Sequence, residues 1–321
     1  MGDLRYSLLQ KHIMDHILEE YDIIPNRDDI HILNEQHHHH VHISRKHHHS
    51  SETDILAYND AIKKIISSPN FNSRHFADHE LMLCESYCLL WQNSNGKLQS
   101  PIEKNEELNQ GVSTAMLLDL YTSKIIDFMS CGNSLVIDIV NPDLALNPIQ
   151  AFILNILLRR RPRRKTIQDV LAISKTCGCA KIVLKNLRLR GIIGVSESGR
   201  LFAASARRQS TIRFGPIRKI EQQLKWVALK EKCPDSYMLS LITLCFIGQE
   251  RHTILDPILE RQLTKREYKA AKENLKITVK TQATILKSAK FVKKKFSRDA
   301  HTERLCMRKE SFNGHFDERI G

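Results

Sequence analysis

Four cations on one short segment carry the clearest chemical signal of the chain. In KIVLKNLRLRG, Lys181, Lys185, Arg188 and Arg190 surround the apolar residues Ile182, Val183, Leu184, Leu187 and Leu189, whose spacing predicts a helix, and Gly191 comes next as its stop. IIGVS, ESGR and LFAAS then read as two short strands about a Ser-Gly turn, with Leu201 and Phe202 directly past the turn and Arg207 and Arg208 behind it. Lysine and arginine in this number are donors for an anion, and two large apolar side chains beside a turn suit either an exposed tip or ordinary core packing. The first reading makes Lys181, Lys185, Arg188, Arg190, Arg207 and Arg208 the holders of an anionic headgroup and Leu201 and Phe202 a membrane-inserting pair. The second leaves a solvated basic face over a packed hairpin.

The charge distribution bears on that choice. The 321 residues carry a formal charge of +13, yet residues 1–110 hold 10 basic against 17 acidic side chains. From Arg159 to Lys225 there are 18 cations against Asp169, Glu197 and Glu221, so the middle of the chain faces a polyanion, either phospholipid or nucleic acid. The longest apolar stretch, Leu144 to Leu158, is interrupted by Asn147, Pro148, Gln150 and Asn155 and falls short of a bilayer span. MGDLRYS lacks a signal-peptide core and has Tyr6 where myristoylation uses Ser or Thr. The scattered cysteines read as reduced thiols, and Cys177 and Cys179 in TCGC are too close for the usual zinc spacing. Asp119, Asp127 and Asp138 read as isolated carboxylates, and neither a nucleophile with its base nor a glycine-rich phosphate loop is recognisable. The chain therefore reads as a non-enzyme without a cofactor.

The elements that must position these groups are mostly helical. Residues 1–75, with the tract EQHHHHVHISRKHHHSSET, read as a low-complexity extension with one short helix over Leu8–Tyr21. Residues 76–276 read as one helical-bundle core, and 277–321 as a mobile basic tail. Within the core, HELMLCESYCLLW and GVSTAMLLDLYTSKIIDF are helices, SLVIDIV is a strand, LNPIQAFILNILL is a buried helix and RRRPRRK is an exposed basic loop. TIQDVLAIS is a helix beginning at Thr166. Beyond Pro216 the pattern is helical throughout: SYMLSLITLCFIG is the buried apolar helix at the centre, and Thr264 with Glu267 forms a capping box. The expected fold class is thus mainly α, a single bundle around that buried helix, with a basic β-hairpin.

In order and spacing, these segments resemble the Golgi phosphoprotein 3 family. LMLCESYCLLWQNSNGKL resembles its opening helix and Gly-containing turn, and GVSTAMLLDLYTSKIIDF its next helix. KNLRLRGIIGVSESGRLF is similar to the family's helix end and hairpin, and MLSLITLCFIGQERHTILDPILERQLTKREYKAAKENLK to its C-terminal helices. The resemblance covers about residues 79–276. It implies a peripheral protein of the cytoplasmic Golgi face, exchanging with cytosol, that binds phosphatidylinositol 4-phosphate or another anionic phosphoinositide. It also implies insertion of a hairpin tip and a link between coatomer and glycosyltransferase tails in vesicle trafficking; apart from the resemblance, a second copy of the chain is a further candidate partner. The family's headgroup Trp and arginines have no counterpart here: PIEKNEELNQGVSTAM lacks both, Trp91 lies earlier, and in the shorter segment between TIQDVLAIS and LKNL two of the arginines either fall on Cys177 and Ala180 or are deleted. Lys181 and Lys185 lie nearby as substitutes, point charges without the bidentate fork.

The alternative class is a winged-helix nucleic-acid binder, because TIQDVLAIS, KTCG, CAKIVLKNLRLR and the hairpin keep the order helix, turn, helix, wing, with RRRPRRK as a nuclear import signal or a phosphate-binding arm.

Overall fold

The computed structural model describes residues 48–91, 105–131, 134–145, 147–159, 165–196, 208–247 and 254–281. Among them the chain is mostly helical, 68% in eleven helices, with a small antiparallel three-stranded sheet. In chain order the elements are α1 (His48–Ile66), α2 (Arg74–Ala77), α3 (Leu83–Leu90), α4 (Glu106–Thr122), β1 (Ile126–Cys131), β2 (Ser134–Ile139) and α5 (Pro148–Arg159). They continue with β3 (Lys165–Thr166), α6 (Ile167–Cys177), α7 (Cys179–Leu189), β4 (Ile193–Ser196), β5 (Arg208–Thr211), α8 (Gly215–Ala228), α9 (Ser236–Cys245), α10 (Asp256–Gln262) and α11 (265–281).

The interior is built on helices that are buried nearly all round. All eight residues of α3 are buried, as are thirteen of α4 and most of α9. Small residues make the α3–α4 approach feasible: a Cβ on Gly111 would stand 2.2 Å from the Tyr87 hydroxyl oxygen. Ser113 and Thr114, next along α4, satisfy their buried hydroxyls by donating to the carbonyls of Asn109 (2.7 Å) and Gln110 (2.8 Å). Asn105 and Asp235 cap α4 and α9 by accepting from the backbone N–H groups of Leu108 (2.9 Å) and Met238 (2.7 Å).

Several expected boundaries hold. Thr166 caps α6 in a box with Asp169, Thr264 pairs with Glu267 at the start of α11, and Gly191 ends α7 with φ +66°. Three differ. GVSTAMLLDLYTSKIIDF is not one helix: α4 stops at Thr122, Lys124 takes the left-handed conformation (φ 63°), and Ile126–Cys131 becomes a strand pairing with β2 in the register Ile126↔Ile139 to Cys131↔Ser134. A double return closes the helix, with Ile125 N–H donating to Leu120 O (3.0 Å) and Lys124 N–H to Tyr121 O (3.1 Å). The packed region also begins before residue 76, because α1 buries Tyr58, Ile62 and Ile65 in the common core, and α11 carries it past 276 with Val279 against the same cluster. Finally, Lys165, the last residue of RRRPRRK, is buried as part of β3 and donates its ammonium to the Leu157 carbonyl at the end of α5. The helix expected over Leu8–Tyr21, histidines 37–47, residues 160–164 and the chain past 281 lie outside the described residues.

Candidate functional site

Helix α7 is the base of the site. Gly178 (φ +62°) is at once the last cap of α6 and the first of α7, so the two helices meet with no linker, and the Ala180 N–H donates to the buried side chain of Asn109 on α4 (3.0 Å). Ile182, Val183, Leu184 and Leu187 face the core. Lys181, Lys185 and Arg188 recur at i, i+4 and i+7, hence on one face; Lys181 and Arg188 are exposed and Lys185 is half-buried. These three expected residues do come together.

Arg190 does not join them. Its guanidinium turns inward to the fully buried carboxylate of Glu85 on α3, donating to Oε1 (2.6 Å) and Oε2 (2.5 Å), and reaches the Glu80 carbonyl at 3.1 Å. Asn186 adds a bond to Oε1 (2.8 Å), while Oε2 accepts from the Met82 N–H (2.9 Å) to cap α3. A carboxylate removed from water requires this countercharge, so Arg190 serves as a clamp between α3 and the end of α7 rather than as a donor to a ligand.

That clamp fixes the start of the hairpin. Ile192 N–H donates to Leu187 O and Gly191 N–H to Arg188 O, both 2.9 Å, and β4 then pairs antiparallel with β5 from Ile193↔Thr211 to Ser196↔Arg208. The strand paired with IIGVS is therefore Arg208–Thr211 and not the expected LFAAS: with Ser196 opposite Arg208, residues 197–207 all fall between the two strands, and Arg207, Leu201 and Phe202 lie outside the described residues.

Residues 212–219, between β5 and the first turn of α8, are part of this surface although their sequence did not single them out. Ile212 and Phe214 are 59% and 47% exposed, and the Arg218 guanidinium sits 5.7 Å from the centre of the Phe214 ring. Arg213 and Lys219 converge on the Glu80 carboxylate at 3.2 Å and 3.4 Å. The signal was present in IRFGPIRK, where large apolar residues alternate with cations around Gly-Pro, but nothing in the sequence placed Glu80 beside it.

The remaining candidates are structural or outward-facing. Asp119 is buried and accepts from the N–H groups of Leu83 (2.9 Å) and Cys84 (3.0 Å); burial pushes its carboxyl up to about 7 against those stabilising bonds. Asp127 and Asp138, isolated in sequence, are direct register partners across β1 and β2. Among the described residues no three His, Cys, Asp or Glu side chains group as metal ligands, and no helix is long and apolar enough to cross a membrane. What remains on the surface of α7 and the hairpin base is a set of exposed ammonium and guanidinium groups suited to an anion.

Comparison with known protein families finds no match for the chain, and comparison with curated proteins finds none.

Proposed function

We propose that the protein is a peripheral membrane adaptor that docks through α7 and the adjoining hairpin on anionic phosphoinositide headgroups. The observation that carries this reading is the one helix face of Lys181, Lys185 and Arg188, exposed at Lys181 and Arg188 and half-buried at Lys185, set directly ahead of a hairpin whose base is held by the Gly191 turn and the Arg190–Glu85 clamp. Basic groups at an anionic leaflet contribute about 1 kcal/mol each, so three give weak, reversible recruitment that a hairpin tip with Leu201 and Phe202 would reinforce. Arg208 is the first residue of β5, opposite Ser196.

The resemblance to the Golgi phosphoprotein 3 family supports the finer reading: the cytoplasmic Golgi face, phosphatidylinositol 4-phosphate as lipid, coatomer and glycosyltransferase tails as partners, and recruitment rather than catalysis as the activity. The same reading takes the helices as one core organised about α9, with α3 and α4 beside it. Replacing Lys181, Lys185 and Arg188 together by alanine is expected to weaken binding to anionic vesicles about a hundredfold without changing the melting temperature. Undiminished binding by the triple variant in a flotation assay would overturn the assignment of α7.

One observation favours the nucleic-acid alternative: α6, Gly178, α7 and the β4–β5 hairpin do succeed one another as helix, tight turn, helix and wing. Against it, β3, the strand ahead of α6, pairs with β2 and not with the hairpin, so among the described residues no sheet ties the wing to its helices. The triple variant separates the readings when duplex DNA replaces the vesicles.

A further inference from the structure

The segment from β5 into α8, IRFGPIRK over residues 212–219, sets two large exposed apolar side chains among cations, where α7 exposes one, Leu189. Ile212 and Arg213 both donate their N–H groups to the Ile192 carbonyl, 2.9 Å and 3.2 Å, which fixes the segment at the base of the hairpin. The Ile212 side chain lies over Gly194, where an added Cβ would come within 3.2 Å of its Cγ2 atom, yet most of it faces outward. Phe214 stands at the N-cap of α8, Pro216 and Ile217 anchor that helix in the interior, and Arg218 and Lys219 remain exposed. Large aliphatic and aromatic groups left open to solvent among arginine and lysine are the composition of a surface that rests in the headgroup region of a bilayer, apolar groups below and cations at the phosphates. Duplex nucleic acid would match the cations and leave Ile212 and Phe214 without a use.

Glu80 adds a regulatory element. Its carboxylate takes Arg213 and Lys219 at 3.2 Å and 3.4 Å, the same two donors that a lipid phosphate would engage. Exposed ion pairs of this kind are weak and exchange readily, so a carboxylate here competes with a phosphate on nearly equal terms.

Resting on the adaptor reading, we infer that residues 212–219 form a second membrane contact, distinct from α7 and the hairpin tip. In it Ile212 and Phe214 enter the interface of an anionic bilayer, Arg213 and Lys219 meet its phosphates, and Glu80 is the internal anion that those phosphates displace.

The test is flotation of the full chain on phosphatidylcholine vesicles containing phosphatidylserine or, at matched surface charge, phosphatidylinositol 4-phosphate. Ile212→Ser with Phe214→Ser is expected to weaken binding to both vesicles at least about tenfold with circular dichroism and melting unchanged, and Glu80→Gln to tighten binding about fivefold. If the serine pair lowers the melting temperature, Phe214→Ser alone carries the same expectation. Wild-type binding by the serine variants, with binding lost in the Lys181, Lys185 and Arg188 alanine triple, overturns this inference and leaves the adaptor reading standing. Weaker binding by Glu80→Gln overturns the competitor role. Failure of the wild type to bind either vesicle, with or without binding to duplex DNA, overturns the adaptor reading and this inference with it.

Discussion

Arg190 and Glu85 show how a cation in an anion-binding context can be taken by the fold. Glu85 is fully buried and touches three separate donors, of which Arg190 alone carries charge. Truncating Arg190 to alanine strands the carboxylate, and the expected cost is about 3 kcal/mol, measured by urea denaturation. In a Glu85→Gln background the same truncation should cost much less, so the double-mutant cycle isolates the pair. Additivity of the two substitutions would contradict the clamp. Asp119 supplies a second residue-scale prediction. With its carboxyl raised by burial from 3.8 to about 7, the native state holds the proton more tightly than the unfolded chain, so this group makes stability fall as pH rises from about 4 to about 7. Asp119→Asn is expected to flatten that slope, at the cost of one good acceptor for the Leu83 and Cys84 N–H groups. An unchanged slope in the asparagine variant would assign the pH dependence to another group.

For the elements, what was legible in the sequence depended on whether an ending used ordinary residues. The starts of α6 and α11 carry Thr-x-x-Asp and Thr-x-x-Glu, and α7 ends on a glycine, so all three boundaries could be read. The end of α4 has no such mark, because Lys124 occupies the left-handed position where glycine is usual, and the helix period ran on unbroken into what is β1. Lys230 ends α8 in the same manner, with Glu231 N–H donating to Trp226 O at 2.8 Å. Lys124→Gly should therefore stabilise the protein by about 0.5–1 kcal/mol, the left-handed cost of a Cβ less the entropy glycine adds to the unfolded chain. Thermal melting checks it, and a loss of stability would mean that the Lys124 ammonium, 5.6 Å from the centre of the Tyr121 ring, matters more than its backbone. The site was legible in part for a related reason. The face Lys181, Lys185 and Arg188 is set by helical spacing alone, whereas the inward turn of Arg190 and the meeting of Arg213 and Lys219 at Glu80 join residues more than a hundred positions apart.

At the scale of the molecule, acidic residues of the described part of the first third fold against cations of the basic middle. Glu80 and Glu85 hold Arg190, Arg213 and Lys219, and Lys181 and Arg188 of α7 are left outward. Such a surface acts through screened charge, over a distance of roughly 10 Å at 0.1 M salt and 3 Å at 1 M, with apolar side chains adding a part that salt does not weaken. Lysines without a fixed fork respond to charge density more than to isomer, so the preference for phosphatidylinositol 4-phosphate over other singly phosphorylated inositides should stay below about tenfold. Docking on an anionic bilayer is decided by flotation of the full chain with neutral, phosphatidylserine and phosphoinositide vesicles at low and high salt. The expected result is binding to both anionic vesicles, little to neutral ones, and release of most of the protein at high salt. Equal binding to neutral and anionic vesicles, or none to either, would contradict it.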